Sequence, residues 1–124
     1  MSMYQQGRGR VETTDVILSG TGATTIIDIP STENGTLIEH IRVVNTTGGA
    51  IDITVDRYDV TNTTAHVLVQ EHSLAAKSTE SGNVSTSVYE IDMPHWLQKL
   101  WRLRVTGNTG IHVCVTHVRP EGRT

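Results

Sequence analysis

Phenylalanine is absent from this sequence, alanine is scarce, and the aromatic rings are limited to two Trp and three Tyr. The single cysteine, Cys114, excludes an internal disulfide framework and a Cys-rich zinc knuckle. No apolar run approaches the ~20 residues that a membrane-spanning helix needs, so no membrane partner is expected. The opening stretch, MSMYQQGRGRVETTD, has no apolar h-region and reads as free of a secretory signal. A net charge of −3 supplies no overall basic field, and nucleic acid is not an expected partner. There is no Gly-rich phosphate loop with its lysine and no Gly-x-Ser-x-Gly elbow, so the usual signatures of nucleotide and hydrolase chemistry are missing.

What the sequence does contain is β-branched. Thr, Val and Ile account for 43 of the 124 residues. Such side chains fit a pleated surface and lose rotamer freedom in helices. The composition is that of an all-β chain, and it argues against α/β nucleotide-binding folds, helical bundles and coiled coils. The length is that of one domain, enough to bury roughly two-thirds of the unfolded surface.

Residues 1–14, with Tyr4, Arg8 and Arg10, show no periodic apolar face and are expected to form an extended N-terminal arm. Residues 15–118 are expected to form a single β-sandwich or jelly-roll-like domain of about eight short antiparallel strands. Residues 119–124, with Arg119 and Arg123, form a C-terminal tail. Within the domain, 15–19 and 24–29 read as strands split by Gly20-Thr21-Gly22, and Pro30 ends the second. Ile51, Ile53 and Val55 alternate with Asp52, Thr54 and Asp56, the pattern of a half-buried strand. The glycine-containing turn at 45–50 predicts that 37–45 and 51–58 pair as a hairpin. Residues 66–72 and 86–92 read as strands and 73–85 as a loop. One helical turn is predicted at 94–99, because Trp96, Leu97, Leu100 and Trp101 fall one turn apart. A last hairpin is predicted from 100–106 and 111–118, with Trp101, Leu103 and Val105 on one face and Arg102 and Arg104 on the other.

Candidate chemistry is sparse. His112 and Cys114 share one strand face while His117 takes the other, so the three do not converge on a metal, and surface or interface histidines are expected. His66 and His72 share a face but lie ~20 Å apart on an extended strand. Asp52, Asp56 and Asp59 form an acidic strip without the glycine-containing loop of a calcium site, and are expected on a solvated face. Cys114, between Val113 and Val115, reads as an inert packed thiol. No catalytic, metal or cofactor residue is assigned, and no enzymatic activity is expected.

Charge, however, is segregated. Residues 1–10 are net +2, 11–92 net −9 and 93–124 net +4. Basic ends around an acidic body suit head-to-tail contacts between copies. Arg8, Arg10, Arg119 and Arg123 are the expected donors, and the Asp52/Asp56/Asp59 strip the possible receiver.

Three strings then carry a resemblance: TLIEHIRVVNTTGGAIDITVDRYD, AHVLVQEHSLAAKST and LWRLRVTGNTGIHVCVTHV. Together they resemble a small β-sandwich of tailed-bacteriophage virion proteins over roughly residues 24–118. The likeness lies in an I-x-h-x-N-T-T/S-G strand pair (h apolar), a Leu then Ala-Ala-x-Ser/Thr connection, and a closing L-R-V…I-x-V-x-V hairpin. The stretch 89–101 departs from that pattern. The resemblance implies a non-enzymatic structural subunit located in the virion and assembled in the host cytoplasm. The leading role implied is head decoration (cement), with a neck or tail part as the alternative. Its partners would be copies of itself, as a trimer or ring, and the major capsid or other virion proteins. Interface residues are expected at Tyr4, Arg8, Arg10, Trp96, Arg102, Arg104, Arg119 and Arg123, with Trp101 core or interface. A carbohydrate-binding sandwich using Trp96 or Tyr89 as a stacking platform is the other reading.

Overall fold

The computed structural model describes residues 9–80, 83–85, 87–92 and 94–119. Every regular element among them is a strand: β1 (Arg10–Ile17), β2 (Thr24–Asp28), β3 (Gly35–Asn45), β4 (Ile51–Asp59), β5 (Thr64–Leu74), β6 (Ser78–Glu80), β7 (Asn83–Ser85), β8 (Ser87–Ile91), β9 (His95–Gln98), β10 (Trp101–Thr106) and β11 (Ile111–Arg119). The fold is the expected all-β sandwich. A five-stranded sheet has the order β1-β11-β3-β8, with β9 also pairing β3, and a four-stranded sheet has the order β2-β10-β4-β5. β6 and β7 form a small separate pair.

Period-two alternation drives the packing. Ile41 and Val43 of β3 and Ile111, Val113 and Val115 of β11 are buried from one sheet; Ile53 and Val55 of β4 and Leu103 and Val105 of β10 are buried from the other. Each such side chain is worth about 1.5–3 kcal/mol when fully buried, which fixes which face of each strand turns inward.

The two predicted hairpins do not form. β3 pairs with β11, β8 and β9, whereas β4 pairs with β10 and β5. Likewise β10 lies beside β2 and β4, and β11 beside β1 and β3. Both glycine-containing connections therefore cross from one sheet to the other. The two crossings touch, with the Thr46 hydroxyl donating to Gly110 O at 2.7 Å. Asn45 explains why the first crossing is stable although its amide is buried. The two protons of its Nδ2 are shared among Gly49 O, Leu74 O and Ala75 O, and its Oδ1 accepts from the backbone and hydroxyl of Thr47.

Other boundaries move for related reasons. Residues 10–14, expected in the arm, belong to β1 and pair with 115–119 of β11. Arg119 is the last residue of β11 rather than part of a tail. Residues 73–85 are not a loop throughout: β5 runs to Leu74, and β6 and β7 follow. The helical turn expected at 94–99 is the extended strand β9, which pairs Gly35–Ile38 and buries Leu97 while leaving Trp96 outside. Edge pairing overrides the helical spacing there.

Gly35 holds that corner. Its φ is +137°, and a Cβ would sit 2.6 Å from Leu97 O and 2.7 Å from Trp96 Cζ2. Gly35→Ala is expected to destabilise the fold by about 2–3 kcal/mol, roughly 8–12 °C in melting temperature. Thermal denaturation by circular dichroism checks this; an unchanged Tm would contradict the packing of β9.

Candidate functional site

The inner faces are occupied by the core, so the outer faces are where the molecule can meet others, and the two differ in chemistry. On the four-stranded sheet, Arg102 and Arg104 lie on the outer face, as predicted. Both are paired within the chain. Arg102 Nε donates to Asp28 at 3.2 Å, and Arg104 makes a bidentate pair with Asp56 at 2.9 and 3.0 Å while its guanidinium lies 3.9 Å from the Tyr58 ring centroid. Asp52 is exposed, as expected for a solvated face, but Asp56 is only 4 % exposed. Asp59 is also buried, and hydrogen bonds from the Asn62 side chain and then its backbone hold its carboxyl below the usual range. Neither carboxylate is free to receive a neighbour's arginine.

The outer face of the five-stranded sheet is banded instead. Strand registers align Val88, Val44, His112 and Ile17 across one end. They align Trp96, Leu37, Val118 and Val11 across the other. Between them run two polar rows, Glu90–Arg42–Cys114–Asp15 and His40–Thr116–Thr13. Of the large apolar side chains that are exposed, Val11 (64 %), Ile17 (61 %) and Trp96 (43 %) are on this face. Open grooves of about 440 Å3 over Ile17, Val44 and Cys114, and about 420 Å3 over Val11, Leu37 and Val118, follow the two apolar bands.

Tyr4, Arg8 and Arg123 lie outside the described residues. Arg10 pairs with Glu12 at 3.0 Å, and Arg119 pairs with Glu12 at 3.3 Å and with Glu33. These arginines meet acids of their own chain rather than the predicted strip. Burial pushes the Glu12 carboxyl up, but hydrogen bonding and charge from Arg119 and Arg10 outweigh it, and the net shift is down. Trp96 lies against Gly35 with much of its ring exposed. Trp101 is partly buried against the core, with His66 stacked at 4.9 Å and Arg57 at 5.4 Å. Tyr89 also packs on the core, and His72 sits 4.2 Å from it. His66 and His72 thus belong to separate clusters.

Cys114 faces outward. A hydrogen bond with Asp15 and then burial raise its thiol pKa, consistent with an unreactive thiol. Among the described residues, His40, Glu90 and Asp92 are the one trio whose ligand atoms all lie within 4.8 Å of one another. Its Nδ1 meets Asp92 at 2.5 Å and its Nε2 meets Glu90 at 3.3 Å. The two ring nitrogens point to opposite sides, so as it stands the trio is a set of imidazole–carboxylate pairs. Sequence spacing hid it, because His40 and Asp92 are 52 residues apart and meet only through the β3–β8 pairing.

His117 is the largest departure from the surface histidines expected. It is 2 % exposed and links three strands. The Thr36 hydroxyl donates its only proton to Val118 O at 2.9 Å, so it accepts from Nδ1–H of His117 at 3.1 Å. Nε2 is then bare and accepts from the Thr14 hydroxyl at 3.1 Å. The imidazole is neutral, and burial lowers its pKa from 6.5, more than the nearby Glu12 raises it.

No protein-family model matches the chain, and no curated protein sequence does either. Among solved structures it is similar to the infectious bursal disease virus Gx strain structure, with 16% identity and a TM-score of 0.39 over 90% of this chain and 35% of that one. It is also similar to the VP2 subviral particle of infectious bursal disease virus, with 9% identity and a TM-score of 0.35 over 90% and 33%. A third neighbour is the CBM22-1–GH10 portion of Clostridium thermocellum xylanase 10B complexed with xylohexaose, with 12% identity and a TM-score of 0.28 over 92% and 25%. The chain spans about a third of the two viral chains and a quarter of the xylanase. These overlaps are loose, and no role passes through them to this chain.

The His117 arrangement sets a pH dependence. The folded imidazole resists a proton that the unfolded chain takes up near pH 6.5, so its contribution is fully present above that pH and is lost as pH falls below it. The melting temperature is expected to fall as pH drops below about 6.5, and His117→Gln is expected to flatten that limb relative to the native chain. Identical acid limbs in the two proteins would contradict the neutral, buried imidazole.

Proposed function

We propose that this chain is a non-enzymatic structural subunit of a tailed-phage virion, working as a head-decoration (cement) protein through contacts with its own copies and with the shell. The carrying observation is the contrast between the two outer faces. One is occupied by ion pairs internal to the chain; the other presents apolar bands at both ends with an intervening polar stripe. That is the layout of a surface meant to be covered. The sequence resemblance to phage β-sandwich proteins supports the same reading, and the all-β sandwich is the fold it implied. A neck or tail position is the alternative within this class.

The exposed Trp96 favours a second reading, a carbohydrate-binding module with that ring as its platform. Tyr89 does not serve that purpose, since it packs on the core against His72. A change in tryptophan fluorescence on adding oligosaccharide, abolished by Trp96→Ala, would favour this reading over the first.

Quantitative mass spectrometry of purified particles tests the proposal. Cells that produce this chain together with its phage should release particles carrying it. Copies in the hundreds mean decoration, and about a dozen or fewer mean neck or tail. Particles that lack the chain altogether would overturn the reading.

A further inference from the structure

We infer that the banded outer face of the five-stranded sheet is a two-fold interface between two copies of this chain. The inference rests on the preceding reading of that face as a docking surface, and goes further in naming the occupant and the symmetry. Arg42 and Asp15 decide it. Both are on the middle of the face, in the row Glu90–Arg42–Cys114–Asp15. Neither has an ion-pair partner among the described residues, whereas Arg10, Arg102, Arg104 and Arg119 all do.

Consider a second copy packed face to face, with the two-fold axis parallel to the strands and passing over β11. Such an axis leaves each row opposite its own equivalent and exchanges β3 with β1 of the other copy. Arg42 then faces the partner's Asp15, so that two charges without an ion pair in their own chain meet, Asp15 keeping its hydrogen bond with Cys114. Val44 faces the partner's Ile17, and Leu37 faces the partner's Val11, so the exposed Val11 and Ile17 meet apolar side chains at both ends while Trp96 stays outside the overlap. An axis perpendicular to the strands would set Glu90 of one copy against Asp92 of the other. The charge pattern therefore selects one of the two simple aligned packings.

Size sets the strength. Three overlapping strand columns about 14 Å wide and about 26 Å long cover roughly 750 Å2 over both copies, with β8 and β9 lying beyond the overlap. That is below the ~1,000 Å2 of a stable specific interface, so the dimer should be weak and concentration-dependent rather than permanent.

Sedimentation equilibrium of the full chain up to about 500 µM tests this. The expected result is reversible association from 13.6 kDa to twice that mass. Ile17→Lys should shift the association at least tenfold toward monomer with unchanged circular dichroism. Arg42→Asp and Asp15→Arg should each do the same, and the double swap carrying both should recover dimer. Val67→Lys, on the exposed edge strand β5, is the control and should leave the dimer intact. A monomer throughout, an association untouched by Ile17→Lys and Arg42→Asp, or one lost through Val67→Lys would overturn the inference. A monomer that still decorates particles would overturn it alone and leave the virion reading standing. A dimer that is absent from particles would do the reverse.

Discussion

A strand has two faces, and in a two-layer sandwich each sheet spends one of them on the other sheet. Ile41, Val43, Val113 and Val115 from one layer and Ile53, Val55, Leu103 and Val105 from the other close the interior completely. Whatever this protein does must happen on the two remaining faces, at strand edges or in loops. That constraint makes the difference between the outer faces informative. Their backbones are alike, so the difference lies in side chains alone, which alternation places without regard to folding.

Buried polar groups explain how the layers hold their order. Asn45 is fully buried, and five polar groups of the chain surround its amide and tie the first crossing connection to the end of β5. His117 does the equivalent within the five-stranded sheet, joining Thr14 of β1 and Thr36 of β3 through one neutral ring. An unpaired buried group of either kind would cost about 1–3 kcal/mol, a large fraction of the stability of a small domain. β1 has few apolar side chains turned inward, and this network gives it a place it would not hold by burial alone.

The alternation of Ile51, Ile53 and Val55, and of Leu103 and Val105, was legible in the sequence, and so was the all-β class. Which strand lies beside which was not. A glycine-containing connection of several residues serves equally to turn a hairpin or to cross between layers, and only the packing of both faces decides between them. The first half of β1 was hidden, although 15–19 read as a strand, because Glu12 and Thr14 point inward, toward Arg119 and His117, and so break the apolar signature. β9 was hidden because Trp96, Leu97, Leu100 and Trp101 match a helical period that edge pairing then overrules. Of the site residues, the placement of Arg102 and Arg104 was readable from alternation, but their partners Asp28 and Asp56 were not, since they come from other strands of the sheet. The banding of the outer face needs four strand registers at once, and no single segment contains it.

The central claim is that this banded face meets its own copy about an axis over β11, and Cys114 offers the most direct test. It is the only cysteine in the chain, it is partly exposed, and it lies on β11 in the middle of that face. Packed sheets stand about 10 Å apart, so the two thiols would face each other across the axis within reach of a short bismaleimide. Treating the native protein with that reagent at mildly alkaline pH, which offsets the raised pKa of the thiol, should yield a covalent dimer on a denaturing gel, suppressed by Ile17→Lys under identical conditions. Thiols that react fully with a monofunctional maleimide yet give no cross-linked dimer at the same protein concentration would contradict the account.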